Sequence, residues 1–355
     1  PGFHLCEDTD LRAVGRHLLG GRGLLDGGHL LHRDRLVRGG GDRRQAHTGG
    51  EVAVHLSGTG QVGGEELPDG RRQITLRDTY AIRRLRHFGP GGAGHHTSEA
   101  ILRALGATVL PMHHHPSGIN INLDCGCTHP AVIESLVKQT GAHVGVSHDG
   151  DADRVLLCDE TGSALDGDEF MAIAALSMIE SGTLADNTLV ATVMSNAGLV
   201  EAIEAAGGRV IRAGVGDRYV VEQMRAGNYN FGGEQSGHFI FRDFNSTGDG
   251  IIAAVQLLAI LKKSGKPLGE LRRVMSKFPQ AQRNIRVSRK PAREELAATA
   301  RLAEVEKTLG SAGRVLLRYS GTEPLLRLLI EGRDADYIHR EADLIAEQIR
   351  AEIGA

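Results

Sequence analysis

From Gly94 onward the sequence alternates strand-like and helix-like runs, and that alternation leaves few folds open. HPAVIESLVKQ places Pro130 where a first-turn proline is welcome and runs as a helix to Gly141, and HVGVSHD then reads as a buried strand. TLVATVM before SNAGLVEAIEAAG, and RVIRAGV before DRYVVEQMRAG, repeat the pairing. Strand and helix in strict succession are the mark of βαβ units with a parallel or mixed sheet. Further upstream, Ser98 is placed to cap the short helix EAILRAL, which Gly106 ends before the strand ATVLPM. Downstream, TGDGIIAAVQLLAILKKSG reads as a long amphipathic helix. After a linker around Ser288 to Pro291 comes a separate small α+β unit: the charge-rich helical stretch PAREELAATARLAEVEKTLG, RVLLRYS, LLRLLIEG and a final helix, DADYIHREADLIAEQIRAEIG. At 355 residues the chain outgrows a single core, since cores stop growing at roughly 250–300 residues.

Residues 1–92 follow a different grammar. They hold about twenty of the 48 glycines and about fourteen arginines, with no lysine and only two isoleucines, Ile74 and Ile82. Neither a 3.6 nor a 2.0 period survives there, because glycine stands wherever an element would need a side chain. A disordered basic arm is one reading. Out-of-frame translation of GC-rich, alanine-coding DNA accounts better for the Gly, Arg and His bias. Gly58-Thr-Gly60-Gln-Val-Gly63 matches a dinucleotide fingerprint, but GEELPDG after it cannot be the helix such a site needs.

A formal charge of −3 gives no global field for nucleic acid or an anionic membrane, so an anion site must be local. The four cysteines are scattered, and Cys125 and Cys127 are too close for zinc-type CxxC spacing. Reduced thiols in a cytoplasmic, soluble protein fit this usage, and no apolar run approaches the ~20 residues of a membrane span. The sequence gives no oligomeric state.

Three loops carry chemistry. Asp149-Gly-Asp151-Ala-Asp153-Arg154 follows the strand HVGVSH, and carboxylates at alternate positions in a tight turn suit one hard divalent cation such as Mg²⁺. An EF-hand is excluded because Arg154 stands where its glycine must be and VLLCDE is a strand. An aspartyl-phosphate phosphatase remains compatible with this loop alone. Gly232-Gly-Glu234-Gln-Ser236-Gly-His238 offers Glu234 and Ser236 to sugar hydroxyls and His238 as a proton carrier. Arg318-Tyr-Ser320-Gly321-Thr322-Glu323-Pro324, with Arg327 on the next strand, has the guanidiniums, hydroxyls and Gly-loop amides of a phosphate cradle.

DGDADR, GEQSGH and RYSGTEP, in this order and at roughly 80-residue intervals, resemble the metal, sugar and phosphate loops of the α-D-phosphohexomutases. NINLDCGCTHP, GVGDRYVVEQM, GGEQSGHFIF and TGDGIIAAVQLL are similar to the phosphoglucosamine mutase branch rather than the phosphomannomutase/phosphoglucomutase branch. The resemblance implies a multidomain α/β architecture with mixed sheets and a small C-terminal α+β domain. Its expected bounds are 93–165 for an incomplete second domain, 166–280 for a third and 281–355 for a phosphate-binding fourth. It also implies Mg²⁺ on Asp149, Asp151 and Asp153, with Arg154 and His238 assisting catalysis. Asp217, Arg218, Glu234, Ser236, Arg318, Ser320, Gly321, Thr322 and Arg327 would bind a phosphosugar. The reaction implied interconverts glucosamine 6-phosphate and glucosamine 1-phosphate through a phosphoserine, with phosphomannomutase/phosphoglucomutase activity or non-catalytic phosphosugar binding as alternatives. Ala152 and Cys127 depart from the usual Gly and Ser. A TASHNP-like serine motif does not occur in this sequence, and Ser57 in HLSGTG lacks its neighbours, so no nucleophile is assigned.

Overall fold

Two four-stranded sheets repeat one topology. In this computed structural model, which describes residues 85–88, 93–113, 115, 117, 119–321 and 323–355, the first sheet contains β1 (Leu85–Phe88), β2 (Val109–Met112), β3 (Val144–His148) and β4 (Val155–Cys158), in the order β2-β1-β3-β4. β1 pairs in parallel with β2 and β3, and β3 turns back into antiparallel β4. The second sheet has β5 (Thr188–Thr192), β6 (Arg209–Ala213), β7 (Phe231–Gly233) and β8 (Phe239–Phe241), in the order β6-β5-β7-β8. Its pairings match: β5 is parallel to β6 and β7, and β7 is antiparallel to β8. The acidic loop is the turn of the first edge hairpin, and the Glu-Gln-Ser-Gly-His loop is the turn of the second.

The helices form where the apolar spacing and caps direct them. Pro130–Thr140 starts on its proline, buries Ile133 and Val137, and ends at Gly141 with φ 60°, a left-handed position that glycine tolerates without a Cβ clash. Asp166 caps Gly167–Glu180 in a reciprocal capping box with Glu169. All residues of that helix from Gly167 to Ala175 are buried, because it lies inside the continuous core that runs from Leu102 to Met275 across both sheets. Phe170 stacks on Phe239 of β8 at 3.9 Å between centroids, fixing the helix on the sheet.

The C-terminal sheet, ordered β10-β11-β9, is antiparallel throughout: β9 (Gln280–Arg286), β10 (Gly313–Tyr319) and β11 (Leu325–Gly332). Helices Thr299–Leu309 and Ala335–Ile353 cover one face, and the core they close, including Ile285, Leu302, Leu328 and Ile345, is separate from the larger one.

Several expectations are corrected. Ser98 does not cap its helix: Thr97–Ala104 begins after His96 with no side-chain cap, and Ser98 is fully buried inside its first turn. The run Pro291–Gly310 is helical only over Thr299–Leu309, after a single 3₁₀ turn at Arg293–Glu295, because Leu296 and Ala298 turn the chain into the core. Upstream of the boundary after residue 92, Leu85–Phe88 supplies β1, an inner strand of its sheet. The readings made for residues 1–84 lie outside the described residues. Strand β9 was not anticipated; only Ala281 and Ile285 of its seven residues are buried.

Arg272 joins the two halves of the larger core. Its guanidinium donates to Asp159 Oδ2 at 2.8 Å, to both Glu169 oxygens at 3.0 and 2.9 Å and to the Ala164 carbonyl at 2.9 Å. Burial alone would raise the Asp159 carboxyl, but bonds from Thr161, Arg272 and Ser163 hold it below its usual range. A depressed carboxylate contributes stability above its unfolded pKa and loses it as pH falls through the folded one. Arg272→Ala leaves buried Asp159 without its cation and Glu169 with only the exposed Lys277 at 3.2 Å, and is expected to cost about 3–5 kcal/mol in urea unfolding; a loss below about 1 kcal/mol would refute the role.

Candidate active site

The acidic loop gathers its carboxylates. Ligand oxygens of Asp149, Asp151 and Asp153 all lie within 4.8 Å of one another. The turn depends on Ala152 at φ 60°, a left-handed conformation that strains any residue with a Cβ. Its backbone is fixed on three sides: Ala93 N–H donates to Gly150 O at 2.9 Å, Gly250 N–H to Ala152 O at 2.9 Å, and Arg154 N–H to Asp149 Oδ1 at 3.2 Å. Beneath it, the His148 ring is buried with Nδ1 3.1 Å from Arg154 O, and burial pushes its pKa down to about 4.

Charge in the loop is unbalanced. Burial, then the hydrogen bond with Asp153 and the neighbouring negative charges, push the Asp149 carboxyl up to about 6. The Arg154 guanidinium stays 3.8 Å from Asp149 and 3.9 Å from Asp153, beyond hydrogen-bonding range. Three carboxylates that converge within 4.8 Å in one tight turn are a donor set that suits a hard dication, so these residues fit a divalent metal. The same field and burial raise the Cys127 thiol to about 11, which keeps it protonated.

The second loop is locked to the first. Arg154 and His238 form an antiparallel bridge, and Val155 N–H donates to Gly237 O at 3.0 Å. Gly237 has φ 93°, and a Cβ there would sit 2.7 Å from Val155 O, so the close approach needs glycine. The His238 ring is only 3% exposed, with Nδ1 3.2 Å from Asp153 Oδ2 and Nε2 unpartnered among the described residues. Glu234 accepts from Gly216 N–H at 2.9 Å through Oε1 and from the Ser236 hydroxyl at 3.3 Å through Oε2. Gly216 precedes the helix Asp217–Ala226, on which Asp217 and Arg218 are exposed; Arg218 pairs with Glu222 at 2.8 Å along the helix.

The third loop connects β10 to β11. Arg318 and Arg327 face each other across the antiparallel pair. Burial, and then the Arg327 charge, lower the Arg318 pKa. Like charges set directly opposite on a sheet repel, and a bound anion removes that cost. Arg327 reaches Glu323 at 2.7 Å through one nitrogen, while its Nε is unpartnered among the described residues. Ser320 is buried, its hydroxyl accepts from Glu323 N–H at 3.3 Å, and its carbonyl accepts from Lys290 at 3.0 Å. Gly321 is exposed, and Thr322 lies outside the described residues.

Sequence reasoning missed three supporting residues. Asp249 caps Gly250–Ser264 by accepting from Ile251 and Ile252 N–H, both at 2.9 Å, and so aims that helix at the acidic loop. The signal was the Gly-Asp-Gly before an apolar run. Gln235 carries no assigned role in the sequence reading, yet its amide donates to Asp166 and Asp168. His148 was read only as the end of a strand.

Successive segments match the phosphoglucomutase/phosphomannomutase α/β/α domain II over residues 89–162, domain III over 166–278, and the C-terminal domain over 283–348. The chain belongs to this family, the α-D-phosphohexomutases. It is 51% identical over 264 residues to a phosphoglucosamine mutase of Syntrophotalea carbinolica, covering 74% of this chain and 58% of that protein. It is 50% identical over 266 residues to one of Pelobacter propionicus, with the same shares of 74% and 58%. The chain thus spans 58% of the length of these curated relatives. The fold is similar to a phosphoglucomutase/phosphomannomutase family protein of Burkholderia thailandensis (TM-score 0.63, 19% identity, 77% of this chain and 62% of that one). It is also similar to Aspergillus fumigatus N-acetylphosphoglucosamine mutase in complex with GlcNAc-6P and magnesium (TM-score 0.60, 18%, 75% and 66%).

Two outcomes follow for the acidic loop. Asp151→Ala is expected to weaken divalent-cation binding by at least roughly tenfold in calorimetric titration with Mg²⁺ as the titrant, and unchanged affinity would refute the ligand set. Ala152→Gly, which relieves the left-handed strain, is expected to stabilise the protein by about 0.5–1 kcal/mol in chemical unfolding; destabilisation would mean that the Ala152 methyl packs more usefully than it strains.

Proposed function

We propose that this chain binds a hexosamine phosphate and carries the metal, sugar and phosphate loops of a phosphoglucosamine mutase, which interconverts glucosamine 6-phosphate and glucosamine 1-phosphate. The observation that supports this most is the roughly 50% identity to phosphoglucosamine mutases over 74% of the chain, together with family domains whose matched residues contain all three loops. The domain bounds proposed are 93–165, 166–280 and 281–355, with β1 added to the first. The metal proposed is Mg²⁺, held by Asp149, Asp151 and Asp153; when bound it neutralises charge on phosphoryl oxygens. No helix among the described residues is long and apolar enough to cross a membrane, and the cytoplasm is the compartment proposed.

The residues divide the work by chemistry. Arg318 and Arg327, with Ser320, Gly321 and Thr322, hold the phosphate that is not reacting. Glu234 and Ser236 orient the sugar hydroxyls, and Asp217 and Arg218 border the same loop through Gly216. Arg154, held only by loose ion pairs to Asp149 and Asp153 at 3.8 and 3.9 Å, can turn to meet a phosphoryl oxygen. His238 holds a proton against Asp153, which fixes how that carboxylate points. A phosphate cradle separate from the metal loop lets one site take either phosphate ester of the same sugar, the requirement for a 1,6-interconversion.

A second reading, phosphosugar binding without turnover, is favoured by one observation: the sequence has no TASHNP-like serine motif to carry the phosphoryl group. Incubation with glucosamine 6-phosphate, Mg²⁺ and a catalytic glucosamine bisphosphate distinguishes the two. Binding without conversion is expected for this polypeptide, and conversion once an in-frame serine-bearing first domain is restored. Conversion by the unmodified chain that Ser57→Ala abolishes would overturn that expectation. Preference for mannose or glucose phosphate would move the reading to the phosphomannomutase/phosphoglucomutase branch. Arg318→Lys is expected to weaken phosphate binding by roughly tenfold despite keeping its charge, because a point charge replaces a bidentate fork; NMR titration with inorganic phosphate measures it, and equal affinity would exclude the cradle.

A further inference from the structure

The sugar loop is continuous with a buried polar chain that ends where the C-terminal unit begins. Gln235 donates its amide to Asp168 Oδ2 at 3.1 Å and to Asp166 Oδ2 at 3.3 Å. Between these two aspartates, Gly167 lies so close to the Glu234 and Gln235 carbonyls that no side chain fits. The loop therefore rests on the first turn of helix Gly167–Glu180. Asp168 is fully buried, and its Oδ2 also accepts from Asn196 N–H at 2.9 Å.

Asn196 passes the connection on. Its Oδ1 accepts from Phe278 N–H at 2.9 Å and its Nδ2 donates to Phe278 O at 3.0 Å, a two-bond clamp on the strand that leads into β9. Arg333, just after β11, lies 4.5 Å over the Phe278 ring, and Gly332 N–H donates to Pro279 O at 3.2 Å. Arg314 of β10 donates to the Val193 and Ser195 carbonyls, both at 2.6 Å, beside the same turn. A Cβ at Gly198 would strike the Ser276 carbonyl, so the linker cannot slide over this turn.

We propose that Asp168 is a positioning residue that couples the sugar loop to the linker carrying the phosphate-binding unit, so that occupancy of Glu234–Ser236 tightens the attachment of Arg318 and Arg327. The reading rests on the function proposed above for these two loops. A buried carboxylate oxygen shared between one donor from each side ties the two together: lose the Gln235 bond, and Asp168 is left desolvated with a single donor, Asn196 N–H. The group has little else to lean on. Its Oδ1 lacks a hydrogen bond, and the Ser195 hydroxyl lies near enough to favour the charge without closing one. Burial and then the Asp166 charge push the carboxyl up to about 7, with Glu331 adding to the rise.

Hydrogen exchange in the full chain tests this with Asp168→Asn and Gln235→Leu. Without ligand, Asp168→Asn is expected to speed exchange at the Gly237 and Phe278 amides together, by at least roughly tenfold. Gln235→Leu, which leaves Asp168 and the linker untouched, is expected to speed Phe278 as well; a Phe278 amide still exchanging at the wild-type rate would overturn the coupling. With ligand, glucosamine 6-phosphate should slow Phe278 exchange in the wild type but not in Gln235→Leu, while inorganic phosphate binds both equally well. Equal protection in the two proteins would also overturn the proposal. If glucosamine 6-phosphate fails to bind the wild type while the ligand-free effect is present, the coupling stands and the substrate reading alone fails.

Discussion

The acidic loop and the Glu-Gln-Ser-Gly-His loop depend on one stretch of main chain, the bridge between Arg154 and His238 with its Val155-to-Gly237 bond. Each loop is the turn of an edge hairpin, and edge hairpins are free to splay. Joining turn to turn makes β4 and the sugar loop one surface, so the carboxylates and Glu234 keep their separation without any bound ligand. The condition is glycine at 237, where the carbonyl of Val155 leaves no space for a side chain. His238 then has no choice of direction: its neighbour is bonded to β4, and its ring falls behind Asp153. The helix Gly250–Ser264 adds the third support by donating its first N–H to Ala152 O.

Like charges are gathered in the acidic loop and again across the β10–β11 pair. Three carboxylates converge on one side, and two guanidiniums face each other on the other. Like charges brought together repel, and Glu323 offsets this only at Arg327. The large apolar core and the Arg272 network hold the scaffold that keeps them close. Groups held against their own repulsion need little rearrangement when a cation or a phosphate arrives, which is the usual origin of preorganised binding.

Much of this was legible in the sequence, for reasons that differ by element. The strands β3 and β5 are short apolar runs between turn residues, and helix Pro130–Thr140 announces itself by its proline and terminal glycine. The three loops were legible because their residue types are unusual together. Helix Gly167–Glu180 was not, because a helix buried on every side shows no amphipathic stripe. Strand β9 was missed because Gln, Arg and Asn fill its exposed positions and leave only Ala281 and Ile285 as signal. Ser98 failed as a cap because burial, a tertiary property, outweighed a local preference. The roles of Gln235 and Asn196 were invisible for a plainer reason: their partners lie 67 and 82 positions away.

Glu234 limits what the sugar loop can accept. Each carboxylate oxygen can take two donors, and each here already has one, from Gly216 N–H and from the Ser236 hydroxyl. One lone-pair direction per oxygen remains. The loop therefore presents two adjacent, negatively charged acceptors and no competing donor from Glu234 itself. A ring with neighbouring O–H or N–H groups can satisfy both at once, whereas one bearing an ether or a second carboxylate there would leave both lone pairs unfilled.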